Sequence, residues 1–333
     1  MKKQIMKSVV VAAAVATSLF SLVSFAHAEG KKLEVVFIPK LVGIPWFNNM
    51  EQGIKDYAAK LGNMNVTTMG APDADPAQQA RIVEDAIAQQ PDILMVIPND
   101  PKSLEPVFAR AQAAGIKVIT QESASIKNAT ADVEFIILDQ LGKQYIDALV
   151  KAKGSKGGYA IMVGGLTNES HSSRADAIVA YQKKNYPDLY QVSERLEGAE
   201  SVDIAHNKTL ELIQAHKDLI GVLYIGTLGP IGGANAVIEK NLIGKVAIIG
   251  TAAPAQAKKY LADKSITACI ISNNPAKIGA AMLDVANRLF VKNEALSSIT
   301  KVPHFGNTVI KGKAIFFHAE AFATVENADS FGF

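Results

Sequence analysis

Short apolar runs alternate with amphipathic helical patterns over most of the 333-residue chain. "LEVVFIP" precedes "FNNMEQGIKDYAAKLG", "MNVTTMG" precedes "PAQQARIVEDAIAQQ", and "DILMVIP" precedes "SLEPVFARAQAAG". "KVITQES" closes this set, and "EFIILDQ" follows a polar loop as one more strand. Runs that are apolar at successive positions mark strands covered on both faces. Strand–helix alternation then gives a parallel, doubly wound sheet. The pattern restarts with the helix "QLGKQYIDALVKAK" and the strand "GGYAIMVGG". It continues through the strands "YQVSERLEG", "LIGVLYIG", "KVAIIGT" and "ITACIIS", each preceded by a helical stretch. A last helix, "PAKIGAAMLDVANRLFVKN", leads to the strand-like pieces "NTVIKG" and "KAIFFH". The fold class predicted is α/β, with two similar doubly wound parallel-sheet lobes.

The first residues break the pattern. Lys2, Lys3 and Lys7 precede the apolar run "SVVVAAAVATSLFSLVSF", and Ala26-His27-Ala28 offers a small-x-small cleavage site. This order predicts a secretory signal peptide over 1–28. Without those lysines the 34 basic residues become 31 against 32 acidic ones. That balance argues against a nucleic-acid partner, which calls for a basic patch. Cys269 is the only cysteine and lies in an apolar run, as a buried small hydrophobe would.

In open α/β sheets, ligands bind beyond the carboxyl ends of the strands. The first set of ends offers Lys40 with Trp46, Phe47 and Asn48, then Asn99 and Asp100, then Glu122, then Gln140. The second set offers Asn168 and Glu169, Thr227, and Asn273 with Asn274. Amides, carboxylates and hydroxyls beside aromatic rings suit a polyhydroxylated ligand whose ring has an apolar face. Other roles fit some of these residues singly. Asn99-Asp100 can cap a helix, Glu122 can belong to a turn, and both rings can be core. Glycine-rich "GTLGPIGG" matches neither phosphate-binding pattern. No G-x-S-x-G elbow appears, and the histidines lack metal-ligand spacing. His171 follows Ser170 and Glu169, but adjacent residues rarely form a triad. No catalytic residue, metal site or cofactor is expected, and the chain reads as a non-enzyme.

Three long stretches carry a family resemblance. They are "VVFIPKLVGIPWFNNMEQGIKDYAAKLG", "IVEDAIAQQPDILMVIPNDPKSLEPVFARAQAAGIKVITQES" and "GKVAIIGTAAPAQAKKYLADKSITACIISNNPAKIGAAMLDVANRL". In content and order they resemble the type I periplasmic sugar-binding proteins of ABC importers, the ribose-binding-like family. "FIPKLVG" is similar to the autoinducer-2-binding branch, and "NDPKSLEP" and "EKNLIGKV" to the rhamnose-binding branch. The resemblance implies two lobes joined by a three-crossover hinge, with a ligand in the cleft. It places the crossovers near Asp139-Gln140, Ser272–Asn274 and Val302-Pro303. The implied division is 29–139 plus 274–302 for the N-terminal lobe and 140–273 plus 303–333 for the C-terminal lobe.

Lys40 matches the ligand-contacting lysine of the autoinducer-2 binders. Glu122 stands where their motif has a carboxylate one methylene shorter, Asn168-Glu169 replaces Asp-Gln, and Gly226 replaces an aspartate. These exchanges remove or move hydrogen-bonding groups, and each unpaired buried donor costs about 1–3 kcal/mol. Glu122 and Glu169 also outnumber Lys40, which disfavours an anionic ligand. The expected function is periplasmic capture of a small neutral sugar, a pentose or 6-deoxyhexose, for delivery to an inner-membrane ABC permease. An autoinducer-2-binding protein, or a component presenting ligand to a chemoreceptor or sensor, is the alternative reading. The protein is expected to act as a monomer.

Overall fold

The computed structural model describes residues 31–135, 138–271, 274–317 and 321–333. The signal-peptide segment 1–28 and Asn273 lie outside the described residues. The first set of elements is β1 (Leu33–Ile38), α1 (Pro45–Leu61), β2 (Met64–Thr68), α2 (Pro76–Ala88), β3 (Ile93–Val96), α3 (Pro101–Ala113), β4 (Lys117–Gln121) and β5 (Ala131–Glu134). The second is α4 (Leu138–Lys153), β6 (Gly157–Val163), α5 (Glu169–Asn185), β7 (Leu189–Gln191), β8 (Leu196–Glu197), α6 (Val202–Ala215), β9 (Leu219–Ile225), α7 (Gly229–Glu239), β10 (Ala247–Gly250), α8 (Pro254–Ala262) and β11 (Ala268–Ile271). There follow α9 (Pro275–Phe290), β12 (Lys301–Val302), β13 (Gly306–Lys311), β14 (Ala314–Phe317), β15 (Ala321–Ala323) and a 3-10 turn at Ala328–Phe331.

Two sheets result. Among the described residues the first runs β12-β13-β14-β5-β4-β3-β1-β2, and the second β15-β11-β10-β9-β6-β7 with β8 also on β6. Strands β1 to β5 pair in parallel, as do β6 to β11. Among the described residues, antiparallel pairs occur only among the late strands β12 to β15 and the partner β11. In β1, Val35 and Phe37 enter one core cluster and Val36 and Ile38 another. In β6, Ile161 and Val163 likewise separate from Ala160 and Met162. Side chains alternate across a strand, so an unbroken apolar run needs cover on both faces. Among the described residues no helix is long and apolar enough to cross a membrane.

The structure corrects two sequence expectations. The strand expected over "EFIILDQ" lies earlier, at Ala131–Glu134, and Leu138, Asp139 and Gln140 already belong to α4. The segment 303–333 does not all join the second lobe. β13 and β14 form a hairpin turning at Gly312 (φ +60°), and β14 pairs in parallel with β5 of the first sheet. The third passage between sheets therefore falls between Phe317 and Ala321, rather than near Val302-Pro303. The unpaired edge of β5 accepts β14, which buries Ala314, Ile315 and Phe317.

Helix α9 returns to the first lobe and lies across α1. A Cβ on Gly53 would meet the Ala276 carbonyl oxygen at 2.0 Å, and one on Gly279 the Met50 carbonyl oxygen at 2.5 Å. The two glycines let the helix backbones approach this closely. The crossing ties the chain after the second lobe to the helix that carries Trp46.

Candidate functional site

The strand ends of both sheets meet at a cleft. Lys40 lies two residues past the end of β1 and is 3% exposed. Its Nζ donates to Glu122 Oε2 at 2.5 Å, and its carbonyl accepts from Asn99 Nδ2 at 2.8 Å. Asn99 is thus partly structural, because its own N–H donates to the buried Gln79 Oε1. Glu122 follows β4 with φ +61°, a left-handed conformation unusual for a side chain of this type. Such strain, of order 1–3 kcal/mol, persists where the surroundings fix it and gathers at functional sites.

From the second lobe come His171 and Arg174, three residues apart and so on one face of α5. Arg174 donates from one terminal nitrogen to Glu122 Oε1 at 2.5 Å, and its guanidinium lies 5.7 Å from the centre of the Phe135 ring. Its buried Nε has no hydrogen-bond partner. His171 Nε2 is 3.3 Å from Lys40 Nζ and 3.9 Å from Glu200 Oε1. Gly164 N–H donates to His171 Nδ1 at 3.0 Å, which assigns the ring proton to Nε2. Glu200 Oε2 accepts from the Thr227 N–H and hydroxyl, both at 3.2 Å.

These contacts set the charge states. Burial alone would raise Glu122, but Arg174 and Lys40 outweigh it and hold the carboxyl well below its ordinary range. Burial, reinforced by Lys40 and Arg174, pushes His171 well below its ordinary value and keeps the imidazole neutral. Burial raises Glu200, against the pull of Lys40. Two cations therefore face Glu122 and Glu200. The sequence comparison of Lys40 with Glu122 and Glu169 is corrected here, because Arg174 and Glu200 belong in the balance.

Rings close the other wall. Trp46 and Phe47, at the start of α1, are buried and line a pocket of about 30 Å³ with Phe135, Thr227 and Thr251. Trp46 packs 6.5 Å from Phe135 and edge-on to Phe333 at 5.8 Å, centroid to centroid. A pocket of this size matches about one water's share of liquid volume. Lys40, His171 and Glu200 also line an adjoining chamber of about 380 Å³.

The other expected site residues fall in different places. Asn168 lines the larger chamber and caps α5, and its Nδ2 reaches the Pro98 carbonyl of the first lobe at 3.4 Å. Glu169 sits at the rim, where its carboxylate accepts from the Ser125 N–H at 3.1 Å and from the Ser125 hydroxyl. Asp100 is a helix cap, accepting from Lys102 N–H. Asn48 is exposed on α1 and lines neither cleft cavity. Gln140 is exposed on α4 and lines a groove of about 1290 Å³ between α4 and the β11 region of the second lobe. That groove is larger than the cleft cavities but contains none of the buried charges. Asn274 caps α9 and donates to the Phe331 carbonyl. Asn48, Asp100, Gln140 and Asn274 thus lie at surface or capping positions and line neither cleft cavity. His171, Arg174, Glu200 and Phe135 are the cleft residues that the strand-end reading leaves out.

Two α/β lobes, three chain passages between them and a polar cleft with an aromatic wall define a cleft-binding protein. The periplasmic binding protein domain family matches residues 35–294, and the chain belongs to that family. Its location is the periplasm. The D-allose-binding periplasmic protein of Escherichia coli (strain K12) is 26% identical over 301 residues, covering 86% of this chain and 92% of that one. Among solved structures, LsrB from Clostridium saccharobutylicum in complex with AI-2 has a TM-score of 0.81 at 20% identity, covering 90% of this chain and 100% of that one. A solute-binding protein from Clostridium phytofermentas with bound L-rhamnose has a TM-score of 0.82 at 20% identity, covering 90% and 98%.

Proposed function

We propose that this protein is the sugar-capturing component of an ABC importer, taking a small neutral sugar and passing it to an inner-membrane permease. The observation that carries this reading is the cleft wall where Trp46, Phe47 and Phe135 face Lys40, Glu122, His171 and Arg174. Rings cover the apolar face of a sugar, and charged groups hydrogen-bond its hydroxyls more strongly than neutral ones do. Lys40 and Arg174 both pair with Glu122, and the nearby carboxyls of Glu200 and Glu134 are pushed up by burial, so nothing in the cleft calls for an anionic ligand. The ligand class read here is a pentose or 6-deoxyhexose; of the ligands named for the relatives, L-rhamnose belongs to it, whereas D-allose is a full hexose. The protein acts as a monomer without covalent chemistry, and the same closed form can also be read by a chemoreceptor.

Calorimetric titration of ligand-stripped protein against pentoses, hexoses, 6-deoxyhexoses and autoinducer-2 tests the reading. Submicromolar binding of a neutral sugar, with no turnover of it, is the expected result. Binding of autoinducer-2 alone would move the protein to the alternative branch. Tight binding of a phosphorylated or carboxylated sugar would overturn the charge argument.

A further inference from the structure

We propose that the chamber of about 380 Å³ beside the ring pocket is a second subsite, and that the preferred ligand is a sugar extended by a second hydroxylated unit. This rests on the sugar-binding reading above and specifies the ligand class of the same cleft. The chamber lies at the lower end of the ~300–1,000 Å³ range that holds drug-sized ligands, above the need of one pentose ring. It adjoins the ring pocket, because Lys40, His171 and Glu200 line both.

The two cavities differ in polarity. Lys40, His171 and Glu200 line both cavities, whereas Arg174 with its unpartnered Nε lines the inner pocket alone, where Glu122 already accepts from both cations. Asp75 and Glu197 are acceptors that line the outer chamber alone. Asp75 uses Oδ1 on the Ala77 and Gln78 N–H groups, and Glu197 uses Oε1 on the Leu166 N–H. Glu200 uses Oε2 on Thr227. Each keeps a second carboxylate oxygen for a ligand O–H. A ligand spanning both cavities therefore places oxygen acceptors at the inner end and hydroxyl donors at the outer end. A second sugar ring supplies such donors, and an anionic extension is excluded by the carboxylates.

Gly165 gives a selective test. It lines the outer chamber only, and a Cβ there would meet nothing closer than Glu197 Oε1 at 3.9 Å. Its φ is not in the left-handed range, so a side chain is tolerated. Calorimetry would compare free pentoses, hexoses and 6-deoxyhexoses with disaccharides carrying the same ring, on wild type and Gly165→Phe. The wild type should bind a disaccharide more tightly than its monosaccharide. Gly165→Phe should weaken the disaccharide about tenfold or more, as filling an occupied space does, and leave the monosaccharide within about twofold. Thermal melting of the variant checks its fold, and Ile204→Trp at the same chamber provides a second plug. Monosaccharide binding that is tighter than disaccharide binding, or unaffected disaccharide binding by both plugs, would overturn the subsite and leave the importer reading intact. Failure of every sugar to bind would overturn both.

Discussion

At the residue scale, the cleft is a set of charges and rings that fix one another. Lys40, Trp46 and Glu122 are legible in the sequence because each sits just beyond a strand, where a purely structural need for it is weak. His171 and Arg174 are harder to see, because their role follows from their shared helix face rather than from a strand end. Their three-residue spacing at the start of α5 is the signal that could reveal them. Glu200 is hidden by the break between β7 and β8, which displaces the true end of that strand segment. Trp46 is the only tryptophan, so ligand addition should shift or quench the protein's tryptophan emission. Trp46→Ala should weaken binding by about 1–3 kcal/mol, the loss expected for a ring in a desolvated pocket. Unchanged affinity in a folded variant would remove the ring from the site.

His171 also predicts a pH dependence. Its value in the folded protein lies well below the ordinary 6.5. As pH falls through 6.5 the unfolded chain takes a proton that the folded chain refuses, so stability is lost toward acid. Asp132 acts oppositely, since burial raises it from 3.8 to about 6 and its contribution is lost as pH rises through that window. The imidazole is isolated by comparing wild type with His171→Asn in urea at several pH values. The stability of wild type relative to the variant should fall below pH 6.5 by up to about 1.4 kcal/mol per pH unit. A difference that does not change with pH would show that His171 is not held neutral.

At the element scale, the strands and helices follow from apolar runs and helical periodicity, with caps and prolines marking the starts. Five of the helices open with proline after a polar or extended residue, as at Asp75-Pro76 and Asn274-Pro275. The start of α4 was not legible, because "IILDQ" is as apolar as a strand and carries no cap to stop it. The helix crossing was not legible either, since glycine inside a helix pattern gives no partner. The crossing predicts that Gly53→Ala is destabilising. The added carbon meets backbone rather than a movable side chain, and overpacking of this kind costs about 1–3 kcal/mol. Gly115→Ala is a control without a steric clash, although its positive φ adds local strain. Urea midpoints would rank the two. A Gly53→Ala protein as stable as wild type would mean that the helices can move apart at no cost.

At the scale of the whole molecule, the cleft is held shut by contacts between the lobes. Arg174 reaches Glu122, Asn168 reaches the Pro98 carbonyl, and Glu169 accepts from Ser125. The two-lobe plan was readable from the restart of the strand–helix pattern. The destination of β13 and β14 was not, because a short hairpin carries no sequence signal for the sheet edge it will join. With about 30 Å³ at the ring wall, no sugar enters without separation of the lobes, so every rim contact must break and re-form in each binding cycle. Glu169 is the clearest of these, since it touches Ser125 at the rim and lines neither cavity. Glu169→Ala removes a charge-assisted contact made only in the closed form. Mutations of this kind act mainly on dissociation. Loss of a partly exposed bond of about 1 kcal/mol should speed ligand release roughly fivefold, with association nearly unchanged. Stopped-flow tryptophan emission reads association on mixing protein with ligand, and release on displacement by a competing sugar of different emission. A slower association with unaltered release would place Glu169 on the path of ligand entry instead of on the latch.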